Sequence, residues 1–185
     1  MNTAFDKVCV VGLGYIGLPT AATLAARNVD VLGLDVNQSV VDTINSGRVH
    51  IVEPELDVLV RATVGSGRLK AVTSPEPASA FIIAVPTPLR ENNRPDLDYV
   101  FAAMESIAPV LAPGNLVILE STSPVGTTRR LMELLARLRP DLRLPGGRSA
   151  GDVFLVHCPE RVLPGRVIRE LVENDRIIGG VTREC

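Results

Sequence analysis

The feature that most constrains this chain is "VVGLGYIG", Val10 to Gly17, a β-branched run ending in glycines at 12, 14 and 17. Lys7–Val11 reads as a buried strand. Ile16–Arg27 is rich in alanine and leucine and reads as a helix, with Pro19 tolerated because it falls in the first turn. Glycines between a strand and a helix permit a tight bend and bare the backbone at the positive end of the helix dipole. Such a bend suits a diphosphate. Gly12 is then needed for the turn, Gly14 for the approach of a ligand, and Gly17 for close packing of helix on strand. Val8–Ala26 is also uncharged, and a membrane span needs about 20 apolar residues. Three glycines and Pro19 would weaken a lone helix there. Asp6 beside Lys7 leaves no basic leader for a signal peptide.

The rest of the chain continues the alternation. Val31–Leu34 is a short apolar run closed by Asp35, and a helix is expected near Gln38–Asn45, stopped by Ser46 and Gly47. Glu55–Val64 is a further helix candidate. Ala80–Val85 is a strongly apolar central strand stopped by "PTP". A helix capped by Asp96 or Asp98 should carry Val100, Met104, Ile107 and Leu111 on one face, with Pro109 shortening it. Leu116–Leu119 and Val153–His157 read as strands, and Thr127–Arg139 as a helix burying Leu131, Leu134, Leu135 and Leu138. Arg143–Asp152 is a Pro/Gly-rich loop within one domain. Strand and helix alternating about six times predict an α/β fold: a Rossmann-type doubly wound parallel sheet, with residues 1–185 as a single domain.

Asp35 lies eighteen residues past Gly17, at the end of the second strand. A carboxylate there can accept hydrogen bonds from both hydroxyls of an adenosine ribose, and it repels a 2′-phosphate. Val36, Asn37 and Gln38 follow it, with no arginine among them. NAD is therefore expected over NADP. The plainer alternative is an ordinary glycine turn and a solvated acid at a strand end. Ligands of such sheets sit at the carboxyl ends of the strands, where "VPTP" (85–88), "ESTSPVGTT" (120–128) and "CPERVLPG" (158–165) all fall. Any one of these loops could be turn chemistry; three together beside a nucleotide site point to a reaction centre.

Composition closes other routes. A net charge of −2 and 3% aromatics give no electrostatic or stacking case for nucleic acid or an anionic membrane. His50 and His157 fall in different segments, so no metal centre is expected. Cys9, Cys158 and Cys185 are three widely spaced cysteines, which suits a reducing, cytoplasmic compartment rather than a disulfide framework. Cys9 sits inside a strand pattern and reads as core.

At "GLGYIGLPTAATLA", "HIVEPEL", "AVPTP", "VILESTSPVGTT", "CPERVLPG" and "RIIGG" the chain resembles the UDP-glucose/GDP-mannose dehydrogenase family of nucleotide-sugar 6-dehydrogenases, over its whole length. The motifs are nearest the UDP-N-acetyl-D-mannosamine branch. The resemblance implies oxidation of a UDP-sugar C6 alcohol to a carboxylate in two hydride transfers, with NAD as cofactor, for cell-surface polysaccharide precursors. It places Tyr15 and Ile16 beside the pyrophosphate, Asp35 on the ribose, and Thr87 and Thr128 on the cofactor. It gives Thr122 the orientation of the catalytic water, Glu160 the role of acid/base, and Arg161 and Val162 contacts to the sugar nucleotide. Pro164 stands where the UDP-glucose branch has a second glutamate.

The same resemblance assigns the nucleophilic cysteine to a "GGHC"-like segment that this sequence does not contain. Cys158, followed by Pro159 and with no lysine beside it, is not read as its substitute. The expectation is therefore the amino-terminal part of a longer dehydrogenase, binding NAD but inert alone. The resemblance places a dimer-forming central helix and a UDP-binding domain elsewhere in the full-length homodimer, so this part alone is expected as a monomer. The alternatives are a sister activity on UDP-N-acetylglucosamine or UDP-glucose, and a free-standing NAD-binding module or pseudoenzyme.

Overall fold

The computed structural model describes residues 5–145, 151–182 and 185. Its framework is a seven-stranded sheet of β1 (Lys7–Val11), β2 (Asp30–Leu34), β3 (Leu69–Val72), β4 (Ala80–Ile83), β5 (Leu116–Leu119), β6 (Phe154–His157) and β7 (Gly179–Gly180). The spatial order is β3-β2-β1-β4-β5-β6-β7. The first six strands pair in parallel, and only β7 runs antiparallel, against β6. The helices are α1 (Gly17–Ala26), α2 (Gln38–Asn45), α3 (Leu56–Gly65), α4 (Asp98–Ile107), α5 (Thr127–Leu138) and α6 (Val167–Glu173).

Alternate residues of each strand face opposite layers. Val8 and Val10 of β1 pack with Leu18, Ala21, Ala22 and Ala25 of α1 and with Ile44, Leu56 and Val60 of α2 and α3. Cys9 and Val11 face the other layer, with Val100, Met104 and Ile107 of α4 and Leu131 and Leu135 of α5. Strands buried on both sides explain the continuous apolar runs at Val8–Val11 and Ala80–Ile83. The sheet's order reverses between β1 and β4, and a crevice opens there at the carboxyl ends of the strands.

Several expectations shift in detail. β3 carries Lys70 between buried Leu69 and Ala71 at the sheet edge, a pattern too short and polar to announce a strand. α6 and β7 were also not expected; α6 buries only Val167 and gives no strong helical stripe. α4 ends at Ile107 and tightens into a 3₁₀ turn over Ala108–Val110, because Pro109 has no N–H to continue it. Neither expected aspartate takes the cap position, which falls on Leu97 with no side-chain cap bond; Asp96, one residue earlier, accepts through Oδ1 from the Asp98 N–H at 2.9 Å. Leu138, expected on the buried side of α5, is 41% exposed. The loop 143–152 falls partly outside the described residues.

Candidate functional site

The glycine turn is built as the residue types require. Gly12 has φ +89°, in the left-handed region that favours glycine. Its N–H donates to the Leu34 carbonyl at 2.8 Å. A Cβ on Gly17 would lie 1.8 Å from the Gly12 carbonyl oxygen, so the start of α1 rests directly on the turn. A Cβ on Gly14 would meet nothing within 4 Å. The three glycines thus do different things: one bends, one allows contact, and one leaves open space. No side chain caps α1, so its amino end is left to whatever anion settles over Gly14.

Asp35, at the end of β2, is already engaged. Its Oδ2 accepts from the Leu13 N–H and its Oδ1 from the Asn37 N–H, each at 2.9 Å. The carboxylate therefore ties the glycine turn to the second strand, and each oxygen keeps a lone pair for a ribose hydroxyl. Tyr15 lies in the turn with 57% of its surface exposed.

Next to this cradle, a cavity of about 180 Å³ is lined by Ile16, Val85, Thr87, Glu120, Thr122 and Glu160 among others. Four of the residues singled out from sequence, Ile16, Thr87, Thr122 and Glu160, therefore come together from four separate segments. Gly12, Gly14, Tyr15, Gly17 and Asp35 belong to the cradle instead, and Thr128, Arg161 and Val162 do not line the cavity either. Thr128 is the second residue of α5, Arg161 is exposed, and Val162 is half-buried. Val162 instead donates its N–H to the Glu160 carboxylate. Burial pushes the Glu160 carboxyl above its ordinary value, neighbouring Glu120 adds to the rise, and Arg176 opposes it.

Glu120, Arg176, Glu53 and Ser121 were not singled out by sequence. Ser121 donates from Oγ to the Val85 carbonyl at 2.7 Å, fastening the loop after β5 to the loop after β4. Glu53, in "HIVEPEL", is 8% exposed and accepts from the N–H groups of Gly165 and Val167 at 2.9 and 2.8 Å. That clasp holds the "PERVLPG" loop from a segment over a hundred residues away. Glu120 was visible as a charge directly after a four-residue apolar strand. Glu53 lay inside the family-like "HIVEPEL" segment, but nothing local distinguished it from nearby Glu55.

The cysteines are all free. Burial pushes the Cys9 thiol up to about 12, as fits a core residue. Cys158 is 8% exposed and is not among the residues lining the cavity.

A doubly wound parallel sheet with a bare glycine turn at its switch point defines a dinucleotide-binding domain of the Rossmann type. The chain belongs to the UDP-glucose/GDP-mannose dehydrogenase family, and residues 6–185 match that family's NAD-binding domain. It is 62% identical over 182 residues to an NDP-N-acetyl-D-galactosaminuronic acid dehydrogenase of Ralstonia nicotianae, covering 98% of this chain and 43% of that one. It is 61% identical over 183 residues to a UDP-N-acetyl-D-mannosamine dehydrogenase of Campylobacter jejuni, covering 98% of this chain and 45% of the relative. Among solved structures, the UDP-N-acetyl-mannosamine dehydrogenase Cap5O of Staphylococcus aureus superposes with TM-score 0.87 at 45% identity, over 97% of this chain and 42% of that one. The chain spans less than half the length of the curated relatives it matches. No helix among the described residues is long and apolar enough to cross a membrane.

Proposed function

We propose that this chain is the cofactor-binding part of a cytoplasmic UDP-N-acetyl-D-mannosamine 6-dehydrogenase that forms UDP-N-acetyl-D-mannosaminuronate. The observation that carries the reading is the junction of two features: the open turn at Gly14 and, beside it, a cavity holding Thr122 and Glu160.

The residues present fit NAD. The amino end of α1 and the open space over Gly14 receive the diphosphate, and Asp35 accepts from the adenosine ribose. Tyr15, Ile16, Thr87 and Thr128 flank the cofactor. When bound, NAD supplies a hydride acceptor for the sugar carbon. Thr122 orients the water that becomes part of the product. Glu160, with its proton affinity raised, holds or releases a proton at that water. Arg161 and Val162 contact the sugar nucleotide from the loop that Glu53 clasps. The nucleophilic thiol comes from outside residues 1–185, so this chain binds NAD and does not complete the second oxidation. The complete enzyme is a homodimer.

A second reading follows from the Ralstonia relative, whose name places its chemistry on an N-acetyl-D-galactosamine-derived sugar. The test supplies the complete protein with UDP-N-acetylmannosamine, UDP-N-acetylgalactosamine, UDP-N-acetylglucosamine and UDP-glucose in turn and follows NADH. The highest kcat/KM is expected with the mannosamine sugar. A preference for any other of the four overturns the assignment. NADH formation by this chain alone overturns the placement of the thiol.

A further inference from the structure

Glu120 is the first residue past β5, and Glu160 lies three residues past the neighbouring β6. The two strand ends are zipped together. Cys158 donates its N–H to the Leu119 carbonyl at 3.0 Å, and Glu160 donates its N–H to the Glu120 carbonyl at 3.4 Å. Both side chains line the same cavity. The Glu120 side chain is 4% exposed; its Oε1 accepts from Nη1 of Arg176 at 2.9 Å, and its Oε2 faces the Thr20 hydroxyl at 3.5 Å. A buried carboxylate must be paired or protonated. Here the partner is supplied from the segment just before β7, by a guanidinium whose own side chain is only 29% exposed.

We propose that Glu120 is the second carboxylate of this cavity: a positioning residue, locked by Arg176, that governs when Glu160 holds its proton. The proposal deepens the reading above, which gives Glu160 the proton-handling role, but the coupling itself needs neither cofactor nor sugar. Two carboxylates around one small space do not both ionise freely. The charged groups acting on Glu160 are Glu120 from the end of β5, Glu170 from α6 and Arg176 from the segment before β7. Two acids thus stand against one guanidinium, and that guanidinium is already committed to Glu120. Burial and the facing carboxylate both push the Glu160 carboxyl up, and Arg176 restrains it. For Glu120 burial pushes up while Arg176 and Thr20 pull down. Glu160 therefore carries a proton into a higher pH range than an exposed glutamate does, where an acid/base group is useful.

The test is a carboxyl-carbon NMR titration of this chain labelled on glutamate, with neither nucleotide nor sugar present. In Glu120→Gln, which keeps the shape and removes the charge, the Glu160 midpoint is expected to fall by roughly one pH unit. Because coupling is reciprocal, Glu160→Gln should lower the Glu120 midpoint by the same amount. That variant sits in a half-exposed loop and serves if Glu120→Gln fails to fold. In Arg176→Gln the Glu120 midpoint should rise. An unmoved Glu160 midpoint in folded Glu120→Gln, or an unmoved Glu120 midpoint in Glu160→Gln, overturns the proposal. A constant Glu120 midpoint in Arg176→Gln overturns the anchoring. A mistaken sugar assignment changes none of these readings.

Discussion

The glycine turn allows stability and cofactor binding to be separated by two single methyl groups. In Gly17→Ala the added Cβ would lie 1.8 Å from the Gly12 carbonyl oxygen and 3.0 Å from its carbon. Ordinary contact begins near 3.4 Å, so something must retreat by roughly 1.6 Å. The turn has nowhere to go: behind Gly12 stand the Ala84 carbonyl and the Val85 side chain, and its N–H is bonded to Leu34. The helix must therefore move, taking fully buried Leu18, Ala21 and Ala22 with it. Overpacking of this kind costs about 3 kcal/mol. At about 2–4 °C per kcal/mol for a chain of this size, calorimetry should show Tm lowered by about 10 °C. Gly14→Ala is the contrast. Its Cβ meets nothing within 4 Å, so stability should stay within about 0.5 kcal/mol of wild type. The methyl then occupies the space read as the diphosphate's, and titration calorimetry with NAD should show affinity reduced by about tenfold or more, some 1.4 kcal/mol. Wild-type melting of Gly17→Ala, or wild-type NAD binding by Gly14→Ala, would refute the division of labour.

Three further outcomes are expected. Asp35→Ala removes the acceptor for the Leu13 and Asn37 N–H groups as well as for the ribose. NAD binding should weaken by about 1–3 kcal/mol, and an unchanged titration removes Asp35 from the site. Glu53→Ala takes the acceptor from the N–H groups of Gly165 and Val167, the second of them buried, with a loss of about 1–3 kcal/mol. Hydrogen exchange over residues 163–170 should quicken, and unaltered protection there contradicts the clasp. Glu160→Gln has a pH signature. The folded-state value of Glu160 is raised above its ordinary 4.5. Its contribution to stability is thus fully present below 4.5 and is lost as pH rises through the folded midpoint. The variant should gain stability over wild type with rising pH, and a pH-independent Tm difference would sink this account.

The motif at 10–17 announced the first strand, bend and helix start, which are local events, and the alternation of apolar strands with helices along the chain gave the fold class. The apolar runs at 80–83 and 116–119 likewise announced buried strands through their own composition. The grouping of Ile16, Thr87, Thr122 and Glu160 was legible more indirectly: once the sheet is parallel, every strand's carboxyl end points the same way. The edge strand at 69–72 escaped notice because lysine alternates with its two buried residues, and partner strands rather than propensity hold it in the sheet. Glu120 and Glu53 escaped for a different reason. A carboxylate's role depends on what faces it, and Arg176 and the N–H groups of Gly165 and Val167 are remote in the chain. Sequence by itself determined the nucleotide cradle, since backbone geometry at glycine is a local property. Only tertiary structure decided which acids are buried and paired, because burial and Coulomb interaction act through space.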